Sequence, residues 1–302
     1  GIAKLTSISV PQNNLRFKIF EEKNILMKSD LNLDFFDVFE FSCRNIEQIT
    51  IPSFIKKINQ FCFSGCVNLK KVIFEKNSEL QLIGSQAFFN TAIEEILIPS
   101  SVVKISEGSF GKCKKLKSIE FDKESELKII EKNAFSETII EEIIIPNKVE
   151  QLESGWCSFT SKLTNIIIEE NNPKYINYEN GIIIGKSQEY ENQYDELIIA
   201  PRNIKQIIIP NFIKDIKSYC FCECNELEYI EFETESKVEI LEEYSFKNCS
   251  INKIILPDSI KEIKRGTFNE CKNLREIILS NTSQLENIDN ETFMNSTIET
   301  IT

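Results

Sequence analysis

The sequence predicts a repeat solenoid with a curved parallel β-sheet, about eleven turns of 23 or 24 residues with two longer turns of 41. Three observations lead there. Units of the form IxxIxIPxxIxxIxxxxFxxCxxL begin at Ile46, Leu69, Ile93, Leu116, Ile140, Leu163, Ile204, Leu227, Ile251, Leu274 and Ile298. A period in this range marks an array in which each turn packs on its neighbours, so the core grows as a rod. Each unit opens with apolar residues alternating with polar ones, as a short strand does. Each then carries a large aromatic at a fixed place further on.

The first element is the strand, as in Ile46-Glu47-Gln48-Ile49-Thr50-Ile51-Pro52. Pro52, Pro99 and Pro146 recur every 47 residues, as do Pro210 and Pro257, whereas the intervening units place Glu75, Asp122 or Glu233 there. Proline cannot donate to a ladder, so it ends the strand, and the module is a pair of turns. Beyond the strand, Ile58 precedes Phe63, Ile83 precedes Phe88, Ile105 precedes Phe110 and Ile216 precedes Phe221. Stacked in register, these phenylalanines form a column opposite the strands, with short irregular or extended segments behind. At about 4.8 Å per turn the rod is roughly 50 Å long.

The long turns provide an internal check. Residues 5–45 align with 163–203 at a constant offset of 158, pairing Phe17 with Tyr175 and Arg44-Asn45-Ile46 with Arg202-Asn203-Ile204. The organisation is therefore one solenoid over 1–302: a long turn at 5–45, five short turns over 46–162, a second long turn at 163–203, and short turns over 204–302, the last truncated. Each long turn is expected to project a hairpin-like loop, with Asn180-Gly181 as its turn in the second. The chain begins at Gly1 and stops inside a unit, so both ends look cut and leave room outside for a signal peptide, a membrane anchor or further turns. Open solenoid ends expose core edges, through which copies are expected to associate.

Composition excludes several functions. A net charge of −12 argues against nucleic acid, and no run reaches the roughly 18 apolar residues of a membrane span. There is no histidine, which removes the commonest general base near neutral pH and the commonest metal ligand. No phosphate loop, nucleophile elbow or metal signature is present, so neither catalysis nor a cofactor is expected.

The strand motif ending in Ile-Pro and the later Phe-x-x-Cys-x-x-Leu resemble the BspA-like leucine-rich repeats. So does a longer turn with Asn-Pro-x-Tyr within Asn171 to Tyr175 and a Gly-led apolar run from Gly181 to Ile184. The resemblance covers essentially the whole chain and implies a leucine-rich-repeat solenoid. It further implies a cell-surface or secreted protein attaching to host cells or matrix proteins. The first long turn departs from the motif, with Leu15 in place of Pro and Lys23 in place of Gly.

Ten cysteines suggest a disulfide framework until they are placed on the repeat. Cys66, Cys113, Cys224, Cys249 and Cys271 share one slot, which Thr91, Thr138, Thr160 and Ser296 fill elsewhere. A slot that accepts Cys, Thr or Ser wants a small buried side chain and not a cross-link. Cys157 replaces the aromatic, leaving Trp156 to fill its volume. The run Cys220-Phe221-Cys222-Glu223-Cys224 lacks zinc-site spacing, so no metal is expected. Acid pairs such as Glu94-Glu95, Glu141-Glu142 and Glu242-Glu243 read as rungs of a solvated charge ladder with Lys70-Lys71 and Lys117. Sequons at Asn248, Asn281, Asn290 and Asn295 permit a secreted life without showing one.

One column does not suit a bland surface. The outward position between the last two inward residues of the strand holds Ile73, Leu97, Ile144, Ile167, Ile208, Ile255 and Ile278, interrupted by Thr50, Glu120 and Glu231. An apolar stripe on an exposed face marks a binding surface, although β-branched residues also simply suit strands. The function expected is non-enzymatic binding of a protein ligand, a host surface or extracellular matrix protein. The alternative is an intracellular, cytoplasmic leucine-rich-repeat scaffold, which the unpaired cysteines would suit.

Overall fold

The computed structural model describes residues 5–20, 25–29, 36–188 and 193–302. Lys23 of the first long turn lies outside them. The chain divides into two compact units, Gly1–Thr160 and Ser161–Thr302, each a stack of β-turns with almost no helix.

In the first unit every short turn contributes two strands. The face strands are Gln48–Ile51, Lys71–Phe74, Glu95–Ile98, Ser118–Phe121 and Glu142–Ile145. Their alternation puts Ile49, Ile51, Ile96 and Ile98 inside and the residues between them outside. The opposite wall is a second parallel ladder of two-residue strands, and so is more regular than the sequence suggests. Lys57–Ile58, Leu82–Ile83, Lys104–Ile105, Ile129–Ile130 and Gln151–Leu152 pair successively in register. Two residues are too short a run to show alternation, but stacking makes the ladder continuous.

Between the two walls the aromatics form the expected column. Phe63, Phe88, Phe110 and Phe135 are fully buried, with successive centroids 5.1, 5.2 and 5.6 Å apart and nearly parallel rings. Trp156 ends the column edge-on to Phe135 at 6.3 Å, beside the small Cys157. In the second unit Phe221, Phe246, Phe268 and Phe293 continue the same device at 4.9, 5.6 and 6.0 Å. Offset stacking of this kind adds about 0.5–1.5 kcal/mol per pair to the burial itself.

A left-handed residue stands two positions before and two after each phenylalanine from Phe63 to Phe135 and from Phe221 to Phe293, for example Gln86 and Asn90 around Phe88, and likewise around Cys157 in the slot beside Trp156. This pair of corners lets the chain reverse within one turn. Glycine takes the position where neighbours crowd. A Cβ on Gly266 would meet the Tyr244 ring at 2.3 Å, and one on Gly84 would meet the backbone of residues 58–60 at 2.7–2.8 Å.

Each long turn builds a three-stranded antiparallel meander that joins the short ladder; in the second, the Asn177 side chain also accepts from the Ile168 N–H at 3.1 Å and donates to its carbonyl at 2.9 Å, tying the meander to the face strand. In the first, Phe17–Phe20, Ile25–Lys28 and Val38–Ser42 pair in sequence, and the last runs parallel to Lys57–Ile58. In the second, Tyr175–Asn177, Ile183–Gly185 and Glu196–Ile199 do the same, leading to Asp215–Ile216. Asn180, at φ 58°, turns the hairpin where expected. The Asn14 side chain accepts the N–H groups of Arg16 and Phe17, as Asn172 accepts those of Lys174 and Tyr175. Leu15 in place of proline is thereby accommodated, because the asparagine makes the turn.

The constant internal offset of 158 also pairs Arg44 with Arg202. Arg44 donates to the carbonyls of Ser42 and Cys62, both at 2.9 Å, and Arg202 donates to those of Ala200 and Cys220 at 3.1 and 3.0 Å. Each clamps a long turn to the next short one. In the second unit the buried Asp195 adds a further tie, accepting from the Ser187 N–H at 2.9 Å and from Lys214 at 3.0 Å. Burial opposes its charge, but these donors prevail and hold the carboxyl below its usual range.

Candidate functional site on the strand face

The face strands pair unevenly, and proline decides where. Gln48–Ile51 pairs with Lys71–Phe74, Glu95–Ile98 with Ser118–Phe121, and Gln206–Ile209 with Tyr229–Phe232, each over four residues. At these seams the residue after the later strand donates its N–H backwards: Glu75 to Ile51 at 3.0 Å, Asp122 to Ile98 at 2.9 Å, Glu233 to Ile209 at 3.0 Å. At the alternate seams that residue is Pro99, Pro146 or Pro257, which has no N–H to give. There the ladder fails. Lys71–Phe74 and Glu95–Ile98 belong to different sheets, as do Tyr229–Phe232 and Lys253–Ile255. Ser118–Phe121 and Glu142–Ile145 retain a single pair, Ser118 with Glu142.

A groove marks each fully open seam. In the first unit a groove of about 580 Å³ lies along Phe74, Leu97 and Pro99. In the second, one of about 770 Å³ lies along Tyr229, Phe232, Ile255 and Pro257. Phe74 and Phe232 are half-buried in the strand position where the proline turns carry a fully enclosed Ile51, Ile98 or Ile209. Large rings thus stand beside the missing hydrogen bonds.

The seven stripe residues fall on this face with unequal exposure. In the first unit Ile73, Leu97 and Ile144 are 42%, 52% and 43% exposed. In the second, Ile208 and Ile255 are 56% and 59% exposed, while Ile167 and Ile278 are half-buried. Sequence reasoning missed Tyr229, exposed on the same face, whose hydroxyl donates to Glu231 at 2.5 Å. That bond to a carboxylate pushes the phenol up. Its signal was present in the alternation, since Tyr229 sits two residues before Glu231 on the outward side.

Other candidates resolve as framework. None of the ten cysteines is in a disulfide, and all are buried. Cys113, Cys249 and Cys271 each donate at 3.0 Å to the carbonyl of the aromatic one turn back, and Thr138 in the same slot donates to Phe135 at 2.9 Å. The slot therefore wants a small donor. Burial pushes the Cys271 thiol up to about 12 and Cys62 and Cys249 well above the usual range, which leaves little thiolate for chemistry. Among the described residues no three Cys, Asp or Glu side chains come together to hold a metal. Charge pairs do climb the turns: Lys117 meets Glu94 at 4.0 Å and Lys253 meets Glu276 at 3.0 Å on the face, with Lys128–Glu150 and Lys261–Glu239 beside the short ladder. Exposed pairs of this kind contribute about 0–1 kcal/mol each.

A parallel β-solenoid with this repeat is of the leucine-rich-repeat type. The chain belongs to the BspA type leucine-rich repeat family, whose model matches in six copies over residues 2–90, 81–180 and 200–302. No curated protein matches it by sequence. Among solved structures it resembles the pneumococcal vaccine antigen PcpA, at 25% identity and a TM-score of 0.69, covering 81% of this chain and 64% of that one. A leucine-rich cell surface protein from Faecalibacterium prausnitzii has the same fold, at 20% identity and TM-score 0.60, with 92% and 96% covered. So does a leucine-rich repeat protein from Eubacterium ventriosum, at 18% and 0.59, with 78% and 73% covered. Among the described residues no helix is long and apolar enough to cross a membrane.

Proposed function

We propose that this chain is a non-enzymatic recognition module, a cell-surface or secreted leucine-rich-repeat protein that binds a protein ligand on host cells or in the extracellular matrix. The observation that carries this reading is the row of exposed aliphatics on the face strands: Ile73, Leu97 and Ile144 in one unit, Ile208 and Ile255 in the other. The core does not need them, because each strand already buries its alternate residues. Water-exposed apolar surface aligned in this way is best accounted for by a partner that covers it. The resemblance to a cell surface protein and a vaccine antigen supports the location.

Replacing the exposed Leu97, Ile144 and Ile208 together with Ser tests the surface. Binding of the purified chain to a reconstituted basement-membrane matrix should fall about tenfold or more while thermal unfolding changes little. Equal binding by the folded variant removes the stripe from consideration. Location is tested by antibody staining of source cells before and after permeabilisation. The buried free thiols favour a second reading, a scaffold in a reducing compartment. Staining seen only after permeabilisation would favour it.

A further inference from the structure

We propose that the open seam between Tyr229–Phe232 and Lys253–Ile255 is a docking groove for an extended cationic segment of the protein partner, with Lys or Arg alternating with apolar residues. This rests on the reading of the strand face as a protein-binding surface, and adds the chemistry of what is bound.

Charge is the first ground. The groove is lined by Glu228, Glu231, Glu233, Glu235 and Asp258 and by one cation, Lys253. Lys253 is engaged by Glu276 at 3.0 Å. Among the described residues none of the five carboxylates has a lysine or arginine within ion-pair distance. Among the described residues Glu75, Glu95, Glu120 and Asp122 of the first unit's groove are also without an ion-pair partner, but that groove has two lysines on its walls, whereas here five acids face a single, already engaged one. Such a group repels itself and is relieved by a bound cation.

Shape and apolar surface are the second. Glu231 pairs in register with Ile208, and Ile255 stands on the other side of the groove. A carboxylate set among exposed isoleucines suits a long basic side chain, whose methylene stem lies on apolar surface while its head meets the charge. Tyr229 fixes the Glu231 carboxylate through its hydroxyl and offers a ring face to a neighbouring cation. The floor of Phe232 and Pro257 accepts the intervening apolar side chains. A volume of about 770 Å³ accommodates several side chains rather than an ion.

The first unit supplies an internal control. Its groove is also open at a proline, but it is lined by Lys71 and Lys76 as well as by acids, so it carries its own cations. One cationic segment per chain is therefore expected, in the second unit.

The test is fluorescence anisotropy with a labelled, capped peptide of alternating Arg and Leu, about nine residues and roughly 30 Å when extended. The expected result is saturable binding at one peptide per chain, weakened several-fold between about 50 and 300 mM salt. The Glu-for-Arg and Gln-for-Arg peptides should not bind. Glu231→Gln should weaken binding about tenfold and Ile255→Ser about fivefold. Glu124→Gln with Glu170→Gln removes charge away from the groove and should have no effect. Equal loss in that control, or spermine competing as well as the peptide with Ile255→Ser silent, overturns the proposal in favour of charge attraction alone. Two peptides per chain overturns the distinction between the grooves. If the peptide fails while the triple serine variant still loses matrix binding, the groove proposal falls and the strand-face reading stands.

Discussion

Two neighbouring seams of the second unit differ by one backbone hydrogen. Between Gln206–Ile209 and Tyr229–Phe232 the ladder closes over four residues, finished by the Glu233 N–H on Ile209. Between Tyr229–Phe232 and Lys253–Ile255 the same place is held by Pro257, and the strands fall into separate sheets. Each ladder bond is worth only about 0.5–1.5 kcal/mol net, and the few given up at an open seam leave the rest of the stack in place. The aromatic column and the short ladder hold the turns together while the face divides into two-turn modules. The fold can therefore carry a groove where a seam opens at little cost to its stability.

The largest effect should come from breaking what both seams share. Phe246→Ala, in the fully buried column, should destabilise by about 3–5 kcal/mol, whereas Phe232→Ala, half-buried at the open seam, should cost about 1–2 kcal/mol. Denaturant unfolding of the two variants measures the difference, and equal losses would place Phe232 in the core. Gly84→Ala comes next. It forces a Cβ against the backbone of residues 58–60 in the closed short ladder, and should cost about 2 kcal/mol or more. A melting curve unchanged from the parent would mean that this ladder yields as the open seam does.

Pro257→Ala exchanges one seam type for the other. It returns a donor opposite the Phe232 carbonyl but also frees the unfolded chain, so the net stability change should stay within about 1 kcal/mol. Binding of the Arg-Leu peptide should nevertheless fall as the groove narrows. The smallest effect concerns the second long turn. Because the folded Asp195 carboxyl is held below its usual range, its contribution is present at neutral pH and is lost as pH falls through that lowered value. Asp195→Asn should flatten acid unfolding below about pH 4, and the parent slope surviving in the variant would assign it to other groups.

Much of this was legible in the repeat. The inward isoleucines, the phenylalanine column and the small-residue slot each recur many times, and recurrence averages away local exceptions. The stripe was legible too, because outward positions follow from period two. What escaped was of two kinds. The short ladder has strands of two residues, whose pairing belongs to neighbouring turns and leaves no trace within one. The open seams were written in the alternation of Pro52, Pro99 and Pro146 with Glu75 and Asp122, which by itself reads only as a strand stop. Its consequence appears when the proline is set against the carbonyl one turn back, a relation between units rather than a property of either. The half-buried Ile167 and Ile278 escaped for a similar reason, since exposure depends on what the neighbouring turns place beside them.

Backbone amide exchange compares the two seams most directly. With proline responsible for the opening, the Ile255 amide, facing the open seam, should exchange about tenfold or more faster than the Glu231 amide, facing the closed one. In Pro257→Ala the gap should shrink. Equal protection of Ile255 and Glu231 in the parent chain would show the ladder to be continuous through proline, and would contradict the division of the face into modules.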